Sequence, residues 1–263
     1  MNKYLIFFDI DGTLLEEDTL QVPKSTIQAL TQAQKNGHLC FINTGRPIST
    51  INKVITDFPF DGYVCGCGTY IEYHGKQMFH TQLPQELRKK VIQASYDCHI
   101  EAVLEGVHGA YFPINPSVEQ VSIIYNSYAD DGFPVFTYGY DDDILFDKFA
   151  AWYNDDADIE TYKKLLAPDF DIIQRAPNFI EVVPLQYSKA TGIQYLADHL
   201  DSDIEHTISI GDSTNDIPML TYTKESVAMG NSNPILFDMV TYVTTDIKDH
   251  GIENALKHFH IIE

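Results

Sequence analysis

A continuously apolar run, Tyr4 to Phe8, lies near the start of the chain and stops at Asp9. A strand with one solvated face alternates apolar and polar residues, whereas this run has no polar face. It therefore predicts a strand of a parallel sheet that helices cover on both sides. A helical pattern from Ser25 to Gly37 and a second apolar run, Leu39 to Ile42, follow it. This order of elements predicts the α/β fold class, with a Rossmann-like parallel sheet as its core.

The middle of the chain has a different pattern from its two ends. Near the end, a helix is predicted after Ser188 and an apolar strand at Thr207 to Ile210, as in the opening segment. The middle instead mixes helical patterns with alternating segments, such as Ser122 to Tyr125 and Phe179 to Val183. We therefore predict an α+β domain inserted into the α/β core. The predicted limits are residues 1–83 and 185–263 for the discontinuous core and residues 84–184 for the insertion.

The charge of the chain excludes several classes of partner. Its formal net charge is −21, which repels nucleic-acid backbones and anionic lipid headgroups, so we expect neither nucleic acid nor membrane as a partner. The same negative charge also repels phosphorylated molecules. A phosphate site must therefore be built locally from cations and backbone amides. No secretory signal or span of about 20 apolar residues is seen, and Cys65 and Cys67 lack the spacing of a zinc or redox motif. We expect a cytoplasmic protein, and the sequence leaves its oligomeric state open.

Two carboxylates, Asp9 and Asp11, directly follow the first predicted strand, and Gly12 allows the chain to turn there. Open α/β sheets bind their ligands outside the carboxyl ends of the strands. Neighbouring carboxylates repel each other unless a cation or a shared proton intervenes, and magnesium is a hard cation that accepts such oxygens. Alone, the pair is also compatible with a solvated turn or a receiver-domain acidic cluster. A calcium loop is disfavoured because Leu14 and Leu20 stand where it needs a glycine and an acid.

Three further polar segments stand at predicted strand ends and helix starts. Asn43-Thr44-Gly45-Arg46 follows the second strand, where a hydroxyl and backbone amides can hold phosphate oxygens. Lys189 begins a helix, and Asp212 and Asp216 follow the strand that ends at Ile210. Two acids at this spacing suit a cation ligand and a partner for a lysine. Taken singly, Thr-Gly after a strand is usually only a turn, and a lysine at a helix start is usually solvated. The two acids alone are also compatible with a helix N-cap.

Together and in this order, the four segments resemble the haloacid dehalogenase-like superfamily. More closely they resemble its Cof-type branch of phosphatases with a type IIB cap, and Val227 to Asn231 and Gly251-Ile252 add to that similarity. In this branch a cap domain is inserted between the second and third motifs, which is where residues 84–184 lie. The chain departs from the branch at Leu185-Gln186-Tyr187, where Lys-Gly-Val is common, and at His250, where an acid is usual.

The resemblance implies a two-step reaction. Asp9 would attack phosphorus and form an aspartyl-phosphate, while Asp11 would protonate the leaving oxygen and later deprotonate water. Lys189 would neutralise the charge of the transferring group. The cofactor implied is Mg²⁺, and its implied ligands and supporting residues are Asp9, the Asp11 carbonyl, Asp212 and Asp216.

The resemblance also implies the phosphate-binding set and the substrate class. Thr44, the Gly45 amide and Asn215 would hold the phosphoryl group, and Arg46 would face the substrate or the cap. The expected activity is magnesium-dependent hydrolysis of a small phosphorylated metabolite, either a sugar phosphate or a cofactor phosphate. Two alternatives stay open, a phosphotransferase such as a phosphomutase and a regulatory binding protein without turnover. We further expect the cap to close over the site and to select the substrate.

Overall fold

The computed structural model describes residues 3–263. Its strands are β1 (Leu5–Phe8), β2 (Leu39–Asn43), β3 (Gly62–Cys65), β4 (Tyr70–Tyr73), β5 (Lys76–His80), β6 (Ile100–Gly106), β7 (Gly109–Pro113), β8 (Val135–Tyr138), β9 (Lys148–Tyr153), β10 (Phe170–Ala176), β11 (Phe179–Pro184), β12 (Thr207–Gly211), β13 (Glu225–Ala228) and β14 (Tyr242–Val243). Its α-helices are α1 (Lys24–Lys35), α2 (Lys53–Thr56), α3 (Gln85–Asp97), α4 (Glu119–Asp130), α5 (Ile159–Leu166), α6 (Lys189–His199), α7 (Ile217–Tyr222) and α8 (Gly251–His258). Within the described range, no helix is both long enough and apolar enough to cross a bilayer.

The chain divides into two compact units. The first comprises the residues up to Gly45, Asn52–Phe79 and Ser188–Glu263, and the second comprises Arg46–Ile51 and His80–Tyr187. The long segment of the second unit begins and ends within a few residues of the predicted insertion, 84–184. The function of that insertion as a cap stays a prediction.

An eight-stranded sheet of order β14-β13-β12-β1-β2-β3-β4-β5 forms the centre of the first unit. The strands from β14 to β3 run parallel, and β4 pairs with β3 in the antiparallel direction. All four residues of β1 are buried, as are all five of β2. The predicted α/β core with a parallel sheet is therefore confirmed, and the apolar runs are the strands with both faces covered.

Packing on one face of this sheet fixes the position of α6. The rings of Phe7 and Phe41 stack with their centroids 5.2 Å apart, and Ile193 and Leu196 of α6 belong to the same buried cluster. Each such side chain contributes roughly 1.5–3 kcal/mol when it is removed from water. Because the helix is held against β1 and β2, its first residue is positioned relative to the carboxyl ends of those strands.

The second unit is built on a six-stranded sheet of order β10-β11-β9-β6-β7-β8, which is antiparallel except for the pair β7 and β8. The segment Phe179 to Val183 forms β11 as its alternation indicates. The alternating interpretation of Ser122 to Tyr125 is wrong, because these residues lie inside α4. Val121 is the only buried residue of that helix, and four residues are too few for periodicity to distinguish a strand from a weakly buried helix.

The end of α6 provides a test of backbone strain. Asp201 has φ +49°, and the Ser202 N–H donates to the Ala197 carbonyl at 2.9 Å, which closes the helix with a left-handed residue. Because glycine adopts this conformation without a β-carbon clash, we expect Asp201→Gly to raise the free energy of unfolding by about 1 kcal/mol. Asp201→Ala removes the same charge but keeps the β-carbon. A gain of equal size in that variant, measured by urea unfolding, would contradict the strain explanation.

Candidate active site

Three adjacent parallel strands, β12, β1 and β2, bring residues that are distant in sequence together at the carboxyl ends of the first unit's strands. Asp9 follows β1, Thr44 follows β2 and Asp212 follows β12. The backbone N–H of Asp9 donates to the Ile210 carbonyl at 3.0 Å, and that of Thr44 donates to the Val64 carbonyl at 2.9 Å. These bonds continue the ladder past the strand ends, so the first residues after the strands are held as firmly as the strands.

Glycine at position 12 allows the loop after β1 to lie against Asp212. Its φ is +74°, and a β-carbon there would be only 2.4 Å from Oδ2 of Asp212. The Leu14 N–H donates to the Ile10 carbonyl at 2.9 Å, which closes the loop on itself. The Thr13 hydroxyl donates to Oδ1 of Asp212 at 3.3 Å. The loop that carries Asp11 is therefore tied to the end of β12.

Lys189 is the first residue of α6, and its start is fixed by a capping box. The Ser188 hydroxyl accepts a hydrogen bond from the Thr191 N–H at 3.3 Å, and the Thr191 hydroxyl accepts one from the Ser188 N–H at 3.0 Å. The Lys189 ammonium lies 2.6 Å from Oδ1 of Asp9 and 2.5 Å from Oδ1 of Asp216. Its side chain is only 1% exposed, so this cation is paired and removed from water.

The second oxygen of Asp216 orients the turn after β12. It accepts hydrogen bonds from the backbone N–H groups of Asp212 and Ser213, both at 3.0 Å. A β-carbon at Gly211 would lie 2.6 Å from the carboxylate carbon of Asp216, so only glycine permits this approach. One buried carboxylate therefore holds both Lys189 and the backbone that presents Asp212.

The cluster of Asp9, Asp212, Asp216 and Lys189 contains more acidic than basic side chains. Burial raises the pKa of Asp9 well above its usual range, and the Asp216 carboxylate raises it further against the opposing effect of Lys189. Burial, with the Asp216 charge, also raises the pKa of Asp212 to about 7. Burial alone would lower the pKa of Lys189, but the charges of Asp216 and Asp9 outweigh it, so the pKa lies above its ordinary value. One ammonium does not balance these carboxylates, and a further cation would stabilise them.

The donor atoms present fit a divalent metal ion. Carboxylate oxygens of Asp9, Asp212 and Asp216 lie within 4.8 Å of one another, and hard oxygen donors are what magnesium prefers. Asp212 also lines a cavity of about 210 Å³ whose wall includes Glu16 and Lys248. The Asp11 side chain is not a member of the three-carboxylate group, and the implied use of its backbone carbonyl as a ligand stays a prediction.

The remaining predicted residues fall in different places. Thr44 is 1% exposed at the end of β2, and Gly45 follows it as the last residue of that segment of the first unit. Asn215 lies in the turn before α7, where its Oδ1 accepts a hydrogen bond from the Ser213 hydroxyl at 2.5 Å. Arg46 belongs to the second unit, where its guanidinium donates to the Thr50 carbonyl at 3.2 Å.

Sequence reasoning missed three residues that hold the site together. Thr13 contacts Asp212, Asn43 contacts the Lys189 backbone, and Asn231 joins two loops by donating to the Gly12 carbonyl at 2.8 Å and accepting from the Ile247 N–H at 3.0 Å. All three residues stand inside segments that carry the family resemblance, so their presence was a usable signal, but no role was assigned to any of them from the sequence.

Comparison with known proteins identifies the class. A family profile described as haloacid dehalogenase-like hydrolase matches residues 6–256, which is nearly the whole chain. The chain therefore belongs to the haloacid dehalogenase-like hydrolases, and its enzyme class is that of a phosphoric monoester hydrolase.

Individual relatives match over at least 97% of their length. The putative phosphatase YkrA of Bacillus subtilis (strain 168) is 28% identical over 270 residues, covering 100% of both chains. The 5-amino-6-(5-phospho-D-ribitylamino)uracil phosphatase YitU of the same organism is 24% identical, covering 97% of each chain. Among solved structures, the HAD subclass IIB sugar phosphatase BT4131 has a TM-score of 0.85 at 29% identity, and the match covers 99% of this chain and 100% of that one.

Proposed function

We propose that this protein is a magnesium-dependent phosphatase that hydrolyses small phosphorylated metabolites through an aspartyl-phosphate on Asp9. The observation that carries the proposal is the surroundings of Asp9. Its carboxylate lies 2.6 Å from the buried Lys189 ammonium and within 4.8 Å of carboxylate oxygens of Asp212 and Asp216. A carboxylate can act as the nucleophile of phosphoryl transfer, and the reaction depends on nearby groups that neutralise the charge of the phosphoryl group.

The chemistry divides into two displacements. In the first, an Asp9 oxygen forms a bond to phosphorus as the bond to the leaving oxygen breaks, and that oxygen takes the proton of Asp11. In the second, water attacks phosphorus, Asp11 takes the water proton, and the bond from phosphorus to Asp9 breaks. Splitting one displacement into two lowers each barrier, and a positioned acid and base contributes typically about 10²–10⁴-fold.

The other residues neutralise and orient the phosphoryl group. The Thr44 hydroxyl, the Gly45 N–H and the Asn215 side chain would hold its oxygens, and Lys189 would balance its charge. A magnesium ion held by Asp9, Asp212 and the Asp11 carbonyl would supply positive charge that offsets the repulsion between the substrate and these acids. Asp216 would keep Lys189 and the Asp212 backbone in place.

The substrate class is inferred from the relatives. A sugar phosphatase and a phosphatase of a phosphoribityl compound both resemble this chain, so we propose a sugar phosphate or a related cofactor-pathway phosphate as substrate. We also propose that residues 84–184 act as the cap that selects among such substrates. We also propose a cytoplasmic location, since the four cysteines form no disulfide with one another.

A panel of phosphorylated metabolites with magnesium tests the proposal directly. We expect phosphate release from sugar phosphates, measured with a colorimetric phosphate assay, and loss of that release after addition of EDTA. Conversion of one sugar phosphate into an isomer without phosphate release would identify a phosphomutase instead. Absence of turnover on the whole panel would contradict the proposed function.

Magnesium should stabilise the protein in a pH-dependent way. Asp212 must be ionised to bind the ion, and its pKa is raised to about 7, so protons compete with the metal below that pH. We therefore expect the magnesium-induced rise in Tm to be larger at pH 8 than at pH 6. At a concentration of about 100 Kd the stabilisation would be about 2.7 kcal/mol. Asp212→Asn should abolish the shift.

The matched control for this measurement is Asp203→Asn. Asp203 caps a short turn by accepting a hydrogen bond from the Glu205 N–H, which asparagine can also do. The magnesium shift should be unchanged in that variant. An equal shift at both pH values in the wild-type protein would contradict metal binding through Asp212.

A further inference from the structure

Asn43 is a buried polar residue that the proposed reaction does not use. Its side chain is fully buried at the end of β2, directly before Thr44. Its Nδ2 donates to the backbone carbonyl of Lys189 at 3.0 Å, across 146 positions of sequence. Its Oδ1 has no hydrogen-bond partner, and among residues 3–263 the only other buried side-chain polar atom of this kind is Nε2 of His38.

The strand register places Asn43 beside the nucleophile. Phe8 of β1 pairs with Ile42 of β2, so Asp9 and Asn43 are the next residues along two adjacent strands, roughly 4.8 Å apart in the pairing direction. Side chains alternate along a strand, and Phe7 stacks on Phe41. Asp9 and Asn43 therefore lie on the same face as those rings, which is the face that packs against α6.

The contribution of the Asn43 side chain to the free energy of unfolding does not explain why an asparagine stands at this position. The Lys189 carbonyl belongs to the first turn of α6, and the capping box already stabilises that end of the helix. The hydrogen bond from Asn43 is therefore an additional contact at a helix start that is held without it. A hydrogen bond contributes less to stability than an unpaired buried acceptor costs. An apolar residue of similar size would avoid that cost, so the asparagine is kept at the expense of stability.

We propose that Asn43 is a positioning residue for the phosphatase reaction, which holds the start of α6 so that the Lys189 ammonium meets the Asp9 carboxylate. This inference rests on the proposed function. The ammonium reaches Asp9 and Asp216 from the first residue of the helix, so a small rotation of that end moves the charge directly. Lys189 matters most when charge develops on the transferring group, and a displaced ammonium should therefore lower kcat more than it changes KM.

The test uses Asn43→Leu and Asn43→Ser, which both remove the contact to Lys189 but differ in bulk. We expect kcat to fall by about 10- to 100-fold in both variants, with KM changed by less than about threefold. The Tm of Asn43→Leu should equal that of the wild-type protein or exceed it by up to about 4 °C. A purely structural asparagine would give the opposite pattern, with a lower Tm and an unchanged kcat.

Orthovanadate with magnesium provides a second readout that does not depend on turnover. Vanadate mimics the phosphoryl group in transfer, so its stabilising effect on Tm should be smaller in both Asn43 variants than in the wild-type protein. His38→Phe is the matched control, because it removes the other unpaired buried atom at the opposite end of β2. Its kcat and vanadate shift should equal those of the wild-type protein.

The outcomes separate the two proposals. Wild-type turnover together with an unchanged kcat in Asn43→Leu and Asn43→Ser would overturn the inference and leave the proposed function standing. A large loss of Tm in both variants would also overturn it. Absence of wild-type turnover on the metabolite panel would contradict the proposed function, and the inference would fall with it.

Discussion

Replacing Asp9 with asparagine should lower kcat by at least about 10³-fold, because the amide cannot form the covalent intermediate. Besides Asp9, the described carboxylate that contacts the Lys189 ammonium is Asp216, and the backbone N–H groups of Asp212 and Ser213 hold it in place. Asp216 therefore cannot replace Asp9 as the nucleophile, and the expected loss is larger than for a residue that only binds the phosphoryl group. The measurement is steady-state hydrolysis of a sugar phosphate, with mass spectrometry of acid-quenched protein to detect a phosphorylated Asp9 in the wild type.

The fold should survive this substitution. Burial disfavours the ionised form of Asp9, and Lys189 keeps Asp216 as its partner when Asp9 becomes neutral. The control is Asp57→Asn, an exposed carboxylate of the first unit that pairs with Lys53, and its kcat should equal that of the wild type. Turnover of Asp9→Asn within tenfold of the wild-type rate would rule out a covalent role for Asp9.

Replacing Lys189 with methionine should damage both activity and stability. The ammonium is 1% exposed and contacts two buried carboxylates, so its removal leaves charges uncompensated at a cost of about 3–5 kcal/mol. Loss of charge neutralisation at the phosphoryl group should lower kcat by about 10²–10³-fold. Thermal unfolding and steady-state kinetics measure the two effects separately.

The loss of stability should depend on pH with a definite sign. Asp9 and Asp212 have folded-state pKa values raised above the ordinary value of 3.8, to about 7 for Asp212, so these groups bind protons more readily in the folded state. Stability therefore falls as pH rises from about 4 through 7, where Asp212 ionises, and the raised pKa of Asp9 acts in the same direction. Without Lys189 this repulsion is stronger, and the destabilisation of Lys189→Met should be smaller at pH 5 than at pH 8. Lys189 itself stays charged over this range, because its pKa is raised.

A surface lysine provides the comparison for this variant. Lys224 pairs with Glu205 at 2.7 Å, and both side chains are about half exposed. An exposed ion pair contributes little to stability, so Lys224→Met should change neither Tm nor kcat measurably. If Lys189→Met had the same Tm as the wild type at pH 8, the buried carboxylates could not carry the charges assigned to them.

Much of the first unit was predictable because its signals are local. The apolar runs at Tyr4 to Phe8 and Leu39 to Ile42 are typical of strands covered on both faces, and they form β1 and β2. Asp9 and Asp212 were predicted from their places after such strands, and the structure brings them together with Asp216. The catalytic roles assigned to them stay proposals. The segment Ser122 to Tyr125 failed because four residues of alternation do not identify a strand, and these residues lie in α4.

Local sequence patterns were sufficient to predict β1, β2 and β12 and the polar residues that follow them, because hydrophobic periodicity and glycine turns act over a few neighbouring positions. The burial of Lys189 between Asp9 and Asp216, and the contact of Asn43 with the Lys189 carbonyl, could be learned from the three-dimensional structure alone. These contacts join residues up to 180 positions apart. They depend on strand order and on the packing of α6, which no local pattern contains.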